Sequence, residues 1–253
     1  MISEATFSKK YTSFWNETLP NSKNYVRLIN GGLLQPIYEP FTPAERKNNT
    51  ALVNVLFFNM FRHANNNRLD FDHFNNPSFF ESLDFIQLQD ASIKYLSKFS
   101  YGNDCDLPLS DIEKRQTLRL FQMIYSRYII SRKKYIDDNI TLIIDPVFDG
   151  CGFVNESTGD FLYGNTLVEI KSGERSFNAI DVRQVLTYLT LNHFSKKPFK
   201  IDKIELFNPR MGISFSESVE SFCKNLSALS SQELFSEIEK FIVENNFIEV
   251  YGT

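Results

Sequence analysis

Glu169 and Lys171 stand two residues apart at the end of the apolar run Leu167-Val168-Glu169-Ile170-Lys171. On a strand, residues at i and i+2 leave the same face, so the carboxylate and the ammonium are neighbours while Val168 and Ile170 face the other way. Upstream, Asp160 follows Gly159. A hairpin turning at Gly164-Asn165 pairs 160–163 with 166–169, and so sets Asp160 opposite Glu169. Two carboxylates held close repel each other unless a cation bridges them. Carboxylate oxygens suit a hard divalent cation. A lysine beside such a cation can orient and activate a water and offset charge on a phosphate. The competing reading is a plain salt bridge within the sheet, where opposite charges often pair.

The segment after this strand reads as a helix over 179–193, with Asn178 as its cap and Asp181 at the third position. Val182, Val185, Leu186 and Leu189 form its buried stripe at i, i+3, i+4 and i+7. Asp181, Gln184 and Tyr188 share a separate face, Gln184 one turn below Tyr188; Arg183 points elsewhere. This file is either a solvated face or a helix looking into a phosphate-binding site, with Gln184 holding water or backbone oxygens and Tyr188 donating to a phosphate.

The elements that must position these residues follow from apolar periodicity and turn signals. Ser110-Asp111-Ile112-Glu113 opens a long helix over 110–135 with a capping box. Strands are expected at 142–147, at 151–155 with 160–163 as one bent strand, and at 166–171. After the helix at 179–193 a strand is expected at 203–207. The order is helix, three strands, helix, strand. Ahead of this core, Tyr25–Ile29 reads as a short strand and 31–42 as an extended connector broken by Pro36 and Pro40. Helices are expected over 43–64, capped by Thr42, and over 78–98. Beyond the core, 216–228 and 231–245 read as helices and 247–250 as a short strand. The division expected is 1–109, mainly helical; 110–208, the core; and 209–253, a helical extension packed on it. The fold class is α/β.

Composition narrows the function. An apolar fraction of 42 % with 25 Phe and 11 Tyr excludes disorder and implies a large aromatic interior. A net charge of -4 leaves no global basic field, so contact with nucleic acid must use a local patch. Arg115, Arg119, Arg127, Arg132, Lys133 and Lys134 supply a basic helix end, read either as a phosphate-contact surface or as charge favourable to the helix dipole. Cys105, Cys151 and Cys223 are sparse and unpaired in spacing, as expected of reduced thiols in a cytoplasmic protein. The N-terminus has no apolar segment of the secretory kind, and no run is long enough to span a membrane. Cys151, between two glycines, has no histidine near it in sequence and reads as a tight turn. Gly150-Cys151-Gly152 lacks the Gly-Lys-Ser/Thr ending of a phosphate loop. Arg210 falls in a loop. His63 and His73 flank an Asn-rich stretch, but no third ligand sits at a helpful spacing.

Asp160, Glu169-Ile170-Lys171 and Gln184-Val185-Leu186-Thr187-Tyr188 together resemble the PD-(D/E)XK restriction-endonuclease-like nuclease superfamily. The Gln-x-x-x-Tyr helix is similar to that of RecB-type nuclease domains. The resemblance covers about 110–208, and the superfamily's αβββαβ core matches the expected order of elements. It implies Asp160 and Glu169 as metal ligands, Lys171 as the catalytic lysine, and Gln184 and Tyr188 as helix residues supporting the site. The implied cofactor is Mg²⁺, with Mn²⁺ as substitute, and the implied activity is hydrolysis of phosphodiester bonds in nucleic acid, DNA before RNA. Gly150-Cys151-Gly152 and Asp181-Val182-Arg183-Gln184 resemble phrases in bacterial nuclease-like proteins found near phage-defence genes, which implies a role against phage or foreign DNA and a protein partner such as an ATPase or helicase. The alternative is a catalytically inactive module of this fold that binds nucleic acid or a protein partner. One departure stands out. Many members carry a further acid, or a His, on the helix before the first strand, where this chain has only Asp111 and Glu113 in the capped first turn. Asp145 also competes with Asp160 for the first acid.

Overall fold

Five strands between residues 141 and 218, joined by one at residues 35–36, pair into one mixed sheet around the triplet that carries Glu169 and Lys171. The structure, a computed structural model, describes residues 1–98, 105–130 and 140–245. In chain order the elements are α1 (Glu4–Lys9), α2 (Thr12–Thr18), α3 (Ser22–Leu28), β1 (Gln35–Pro36), α4 (Thr50–Asn67), α5 (Phe71–Asn75), α6 (Leu83–Ser97), α7 (Asp111–Tyr125), β2 (Leu142–Ile144), β3 (Val147–Phe148), β4 (Ser157–Thr158), β5 (Phe161–Tyr163), β6 (Thr166–Ile170), α8 (Ala179–Phe194), β7 (Lys203–Asn208), β8 (Ile213–Ser218), α9 (Val219–Ser227) and α10 (Ser231–Glu244). They form two units: residues 1–39 with 140–253, and residues 40–139. Among the described residues, no helix is long and apolar enough to cross a membrane.

The sheet-bearing unit orders its strands β1-β8-β7-β6-β5-β2. Only β6 and β7 run parallel, because α8 carries the chain back between them; the other neighbours are antiparallel. The stripe Val182, Val185, Leu186 and Leu189 of α8 joins Leu167, Ile204, Leu206 and Phe215 of the sheet in one core. The N-terminal helices close it: Phe7 and Trp15 are fully buried, and the Trp15 indole donates to the Phe7 carbonyl at 3.0 Å. α10 packs against α8.

In the other unit, α4 packs on α6 and α7. Glu113 ties this unit together. It completes the capping box with Ser110 and accepts from the Arg46 guanidinium at 2.7 Å and from Asn49 at 2.9 Å. Burial alone would raise its carboxyl, but Arg46 above all, then Ser110 and Asn49, hold it down at about 2.

The expected division at 109 and 208 is therefore not the one observed: 1–39 joins the sheet, and the helix opened by Ser110 belongs to the other unit. Residues 25–29 are helical rather than extended. The i, i+4 pair Tyr25 and Ile29 is buried from one helical face, and this burial overrides the β-branched composition. The helix expected from Pro43 starts at Thr50, because the Arg46 backbone is extended and its N–H is spent on Glu113 at 3.0 Å. The helix expected at 78–98 begins at Leu83, capped by Ser82 after a 3₁₀ turn. The helix at 110–135 is α-helical to Tyr125 and continues as a π-turn to Ile130. Residues 142–147 split where Asp145 adopts a φ of 55° ahead of Pro146, so Val147–Phe148 pairs with Ser157–Thr158 in a separate ribbon. Cys151 and Val154 make only an isolated bridge. Residues 213–218 are a strand where 216–228 reads as wholly helical; Ser218 ends it and caps α9. The strand expected at 247–250 lies outside the described residues, as do Arg132, Lys133 and Lys134.

Candidate active site at the β5–β6 hairpin

The hairpin has the expected register. Gly164 takes a φ of 57°, the positive value a type II′ turn requires at its first central position, and Tyr163 pairs with Thr166. Phe161 pairs with Val168, so the next pair outward is Asp160 with Glu169. The Asp160 carboxylate accepts the Ile170 N–H at 2.6 Å, which fixes it beside β6. Asp145 joins from the neighbouring strand end, donating its N–H to the Asp160 carbonyl at 3.0 Å.

Glu169 is buried. Its Oε1 accepts from Lys171 Nζ at 2.9 Å, whereas its Oε2 is buried with no hydrogen-bond partner. Lys171 Nζ also donates to Gln184 Oε1 at 2.7 Å and lies 3.8 Å from Asp181. Gln184 Nε2 donates to the Tyr188 hydroxyl at 3.0 Å, and that hydroxyl donates to Glu4 at 3.3 Å. The face of α8 bearing Asp181, Gln184 and Tyr188 is thus turned into the site: Asp181 and Tyr188 are only 2 % and 3 % exposed, which rules out a solvated file. Asp181 serves partly in folding. It completes the capping box with Asn178 and takes a bidentate pair from Arg175 at 2.7 and 3.0 Å.

Electrostatics follow from this enclosure. Burial, and then the Glu169 charge, push the Asp160 carboxyl well above its ordinary value, with Asp145 adding to the effect. Burial likewise raises Glu169 in spite of Lys171. Burial would lower the Lys171 ammonium, but Glu169, Asp181 and Asp160 outweigh it and keep the amine protonated. Tyr188 is raised by burial and by Glu169, Glu4 and Asp160.

The structure therefore brings Asp160, Glu169, Lys171, Gln184 and Tyr188 together. It adds Glu4, which sequence reasoning missed. Glu4 opens α1 after the cap residue Ser3. The chain ahead of it is pinned where Ile2 donates to the Phe153 carbonyl at 2.8 Å and accepts from Asn155 at 2.8 Å. Nothing local distinguishes Glu4 from an ordinary first-turn acid. Only the contact of α1 with α8 brings it to the site. Glu113, an upstream acid considered from sequence, is instead held by Arg46, Asn49 and Ser110. Arg210 lies in the β7–β8 loop but is buried, its Nε donating to the Ser172 carbonyl at 3.0 Å. Burial, and then Glu239, raise the Cys151 thiol, the opposite of what a nucleophile needs.

Comparison with known proteins finds no family model that matches this chain and no match among curated proteins. The site's own donors decide whether a cation fits. Glu169 offers a buried, unpartnered carboxylate oxygen, and the charges of Asp160 and Glu4 act on the same pocket, so the donors here are oxygens of the kind a hard cation takes; among the described residues, Asp160, Glu169 and Glu4 do not bring one oxygen each within 4.8 Å of one another.

Proposed function

We propose that this chain is a metal-dependent nuclease of the PD-(D/E)XK type, hydrolysing phosphodiester bonds with DNA as the first substrate class. The observation that supports this best is the buried, unpartnered Oε2 of Glu169, with Asp160 facing it across the hairpin and Lys171 on the same face. Asp160 and Glu169 are the residues that would hold Mg²⁺ or Mn²⁺. When bound, such an ion supplies positive charge to the phosphate and acidifies a water. The chain's own residues do the rest. Lys171 presents a protonated amine that can donate to the attacking water or to a phosphate oxygen as negative charge builds. Gln184 aims Lys171, and Tyr188 aims Gln184 while linking it to Glu4. A role against phage or foreign DNA, with an ATPase or helicase as partner, is the context the sequence resemblance suggests for this activity.

One observation favours a second reading, a binding module of this fold without chemistry: Lys171 is already engaged by Glu169, Gln184 and Asp181. Purified protein assayed against single- and double-stranded DNA and RNA with Mg²⁺ or Mn²⁺ separates the two. Cutting that disappears in Lys171→Ala and Glu169→Ala, with the fold intact by circular dichroism, supports the nuclease. Equal cutting by wild type and both variants refutes it. No Mg²⁺ or Mn²⁺ binding by calorimetry, with nucleic-acid or protein binding retained, selects the module.

A further inference from the structure

In the unit formed by residues 40–139, two imidazoles and a carboxylate from three helices converge on one point. His63 comes from the last turns of α4, His73 from α5 and Asp84 from the first turn of α6. His73 Nε2 lies 3.3 Å and His63 Nε2 3.8 Å from the same oxygen, Asp84 Oδ2. One ligand atom from each of the three residues falls within 4.8 Å of the others. We propose that His63, His73 and Asp84 bind a divalent transition-metal ion, Zn²⁺ foremost, that clips these three helices together.

Geometry argues for an ion over a hydrogen-bonded pair. A 3.8 Å separation is too long for a hydrogen bond. In a tetrahedral Zn²⁺ site, with metal–ligand bonds of about 2.0–2.2 Å, neighbouring ligand atoms stand about 3.3–3.5 Å apart. His73 and Asp84 already have that separation, while His63 stands 3.8 Å from the same oxygen and within 4.8 Å of His73, so the His63 ring is the one that must move inward. The rings are braced for it. His73 packs edge-on against Phe74 at 5.0 Å and Phe79 at 5.6 Å, and His63 against Phe74 at 6.2 Å. The Asn67 amide nitrogen lies 3.1 Å from His63 Nδ1, the ring nitrogen turned away from Asp84, and donates to the His63 carbonyl at 3.0 Å, which holds the far edge of the ring. The side chains are 26 %, 38 % and 43 % exposed, so an ion can enter and a water can complete the shell.

Ligand chemistry separates this site from the one on the hairpin. Two imidazole nitrogens with one carboxylate suit Zn²⁺ and its neighbours, whereas the all-oxygen set around Glu169 suits Mg²⁺. The two are therefore testable apart.

The experiment uses the tag-free full-length chain, stripped with chelator and titrated with Zn²⁺ against a chromophoric competitor. One Zn²⁺ should bind to the wild type and to Asp160→Asn. Affinity should fall at least 100-fold in His63→Gln, His73→Gln and Asp84→Asn, and Zn²⁺ should raise the melting temperature only where the triad is intact. Zn²⁺ affinities within threefold across wild type and triad variants would overturn the proposal. A second readout needs no variant. The chain has 3 histidines, so ring ¹⁵N spectra of the wild type can follow each. Zn²⁺ should shift the ligating nitrogens of His63 and His73 and leave His193 unmoved. An unchanged spectrum, or a shift confined to His193, refutes the site.

Discussion

Asp160→Asn isolates the electrostatic cost built into the hairpin site. In the metal-free protein Asp160 sits directly across from Glu169, whose Oε2 has no partner. Side chains directly opposite on antiparallel strands are about 5 Å apart. At that distance two full charges repel by about 3 kcal/mol at an effective dielectric of 20, and by less once either acid takes up a proton. The sign agrees with the pKa directions. Both carboxyls are raised in the folded state, so the stability they contribute is complete below their unfolded values and is lost as pH rises through the folded ones. Asn at 160 keeps an oxygen for the Ile170 N–H, removes one of the facing charges and offers Glu169 a donor. The metal-free variant should be about 1–3 kcal/mol more stable than wild type, a rise of roughly 2–10 °C in melting temperature for a protein of this size. Mg²⁺ at ten times its Kd should stabilise the wild type by about 1.4 kcal/mol and leave Asp160→Asn unmoved. Differential scanning calorimetry with and without Mg²⁺ measures both effects. A variant less stable than wild type, or one that keeps the Mg²⁺ shift, would refute the reasoning.

Other sites give further expectations. Tyr188→Phe removes the hydroxyl shared by Gln184 and Glu4 and should cost about 1 kcal/mol of stability, while lowering the turnover of any nuclease activity more than it changes KM. Glu113 is held at about 2 against an ordinary value near 4.5, so its contribution, at most about 3 kcal/mol before screening at the half-exposed Arg46, is present at neutral pH and lost as pH falls toward 2. Glu113→Gln should flatten that acid limb of a stability–pH curve measured by urea unfolding. Gly212 has a φ of 62°, and a Cβ there would stand 2.1 Å from the Tyr38 carbonyl oxygen. Gly212→Ala should therefore destabilise by at least about 2 kcal/mol in thermal unfolding.

Local signals carried the hairpin and the helix behind it. Gly164 makes the turn, so counting residues outward sets Asp160 opposite Glu169. The i, i+4 spacing sets Gln184 one turn below Tyr188 on one face, and Asn178 and Asp181 spell out a capping box. These features depend on neighbours within about ten residues, and there the reading and the structure agree. Where packing competes with propensity, they part: Tyr25 and Ile29 are helical because one helical face buries both, and α4 starts late because Glu113 holds the Arg46 backbone.

The sequence by itself determined that Asp160, Glu169 and Lys171 share a face, because strand pleat and turn length leave no other register. It could not reveal which distant acid completes the cluster. Glu4 reaches Tyr188 only because the N-terminal chain pairs with Val154 and lays α1 against α8. Nor could it show that Asp84 stands between His63 and His73, since the three lie on separate helices whose packing alone makes them neighbours. Contacts between residues far apart in the chain are set by the burial of whole faces, and that is decided only when the elements pack.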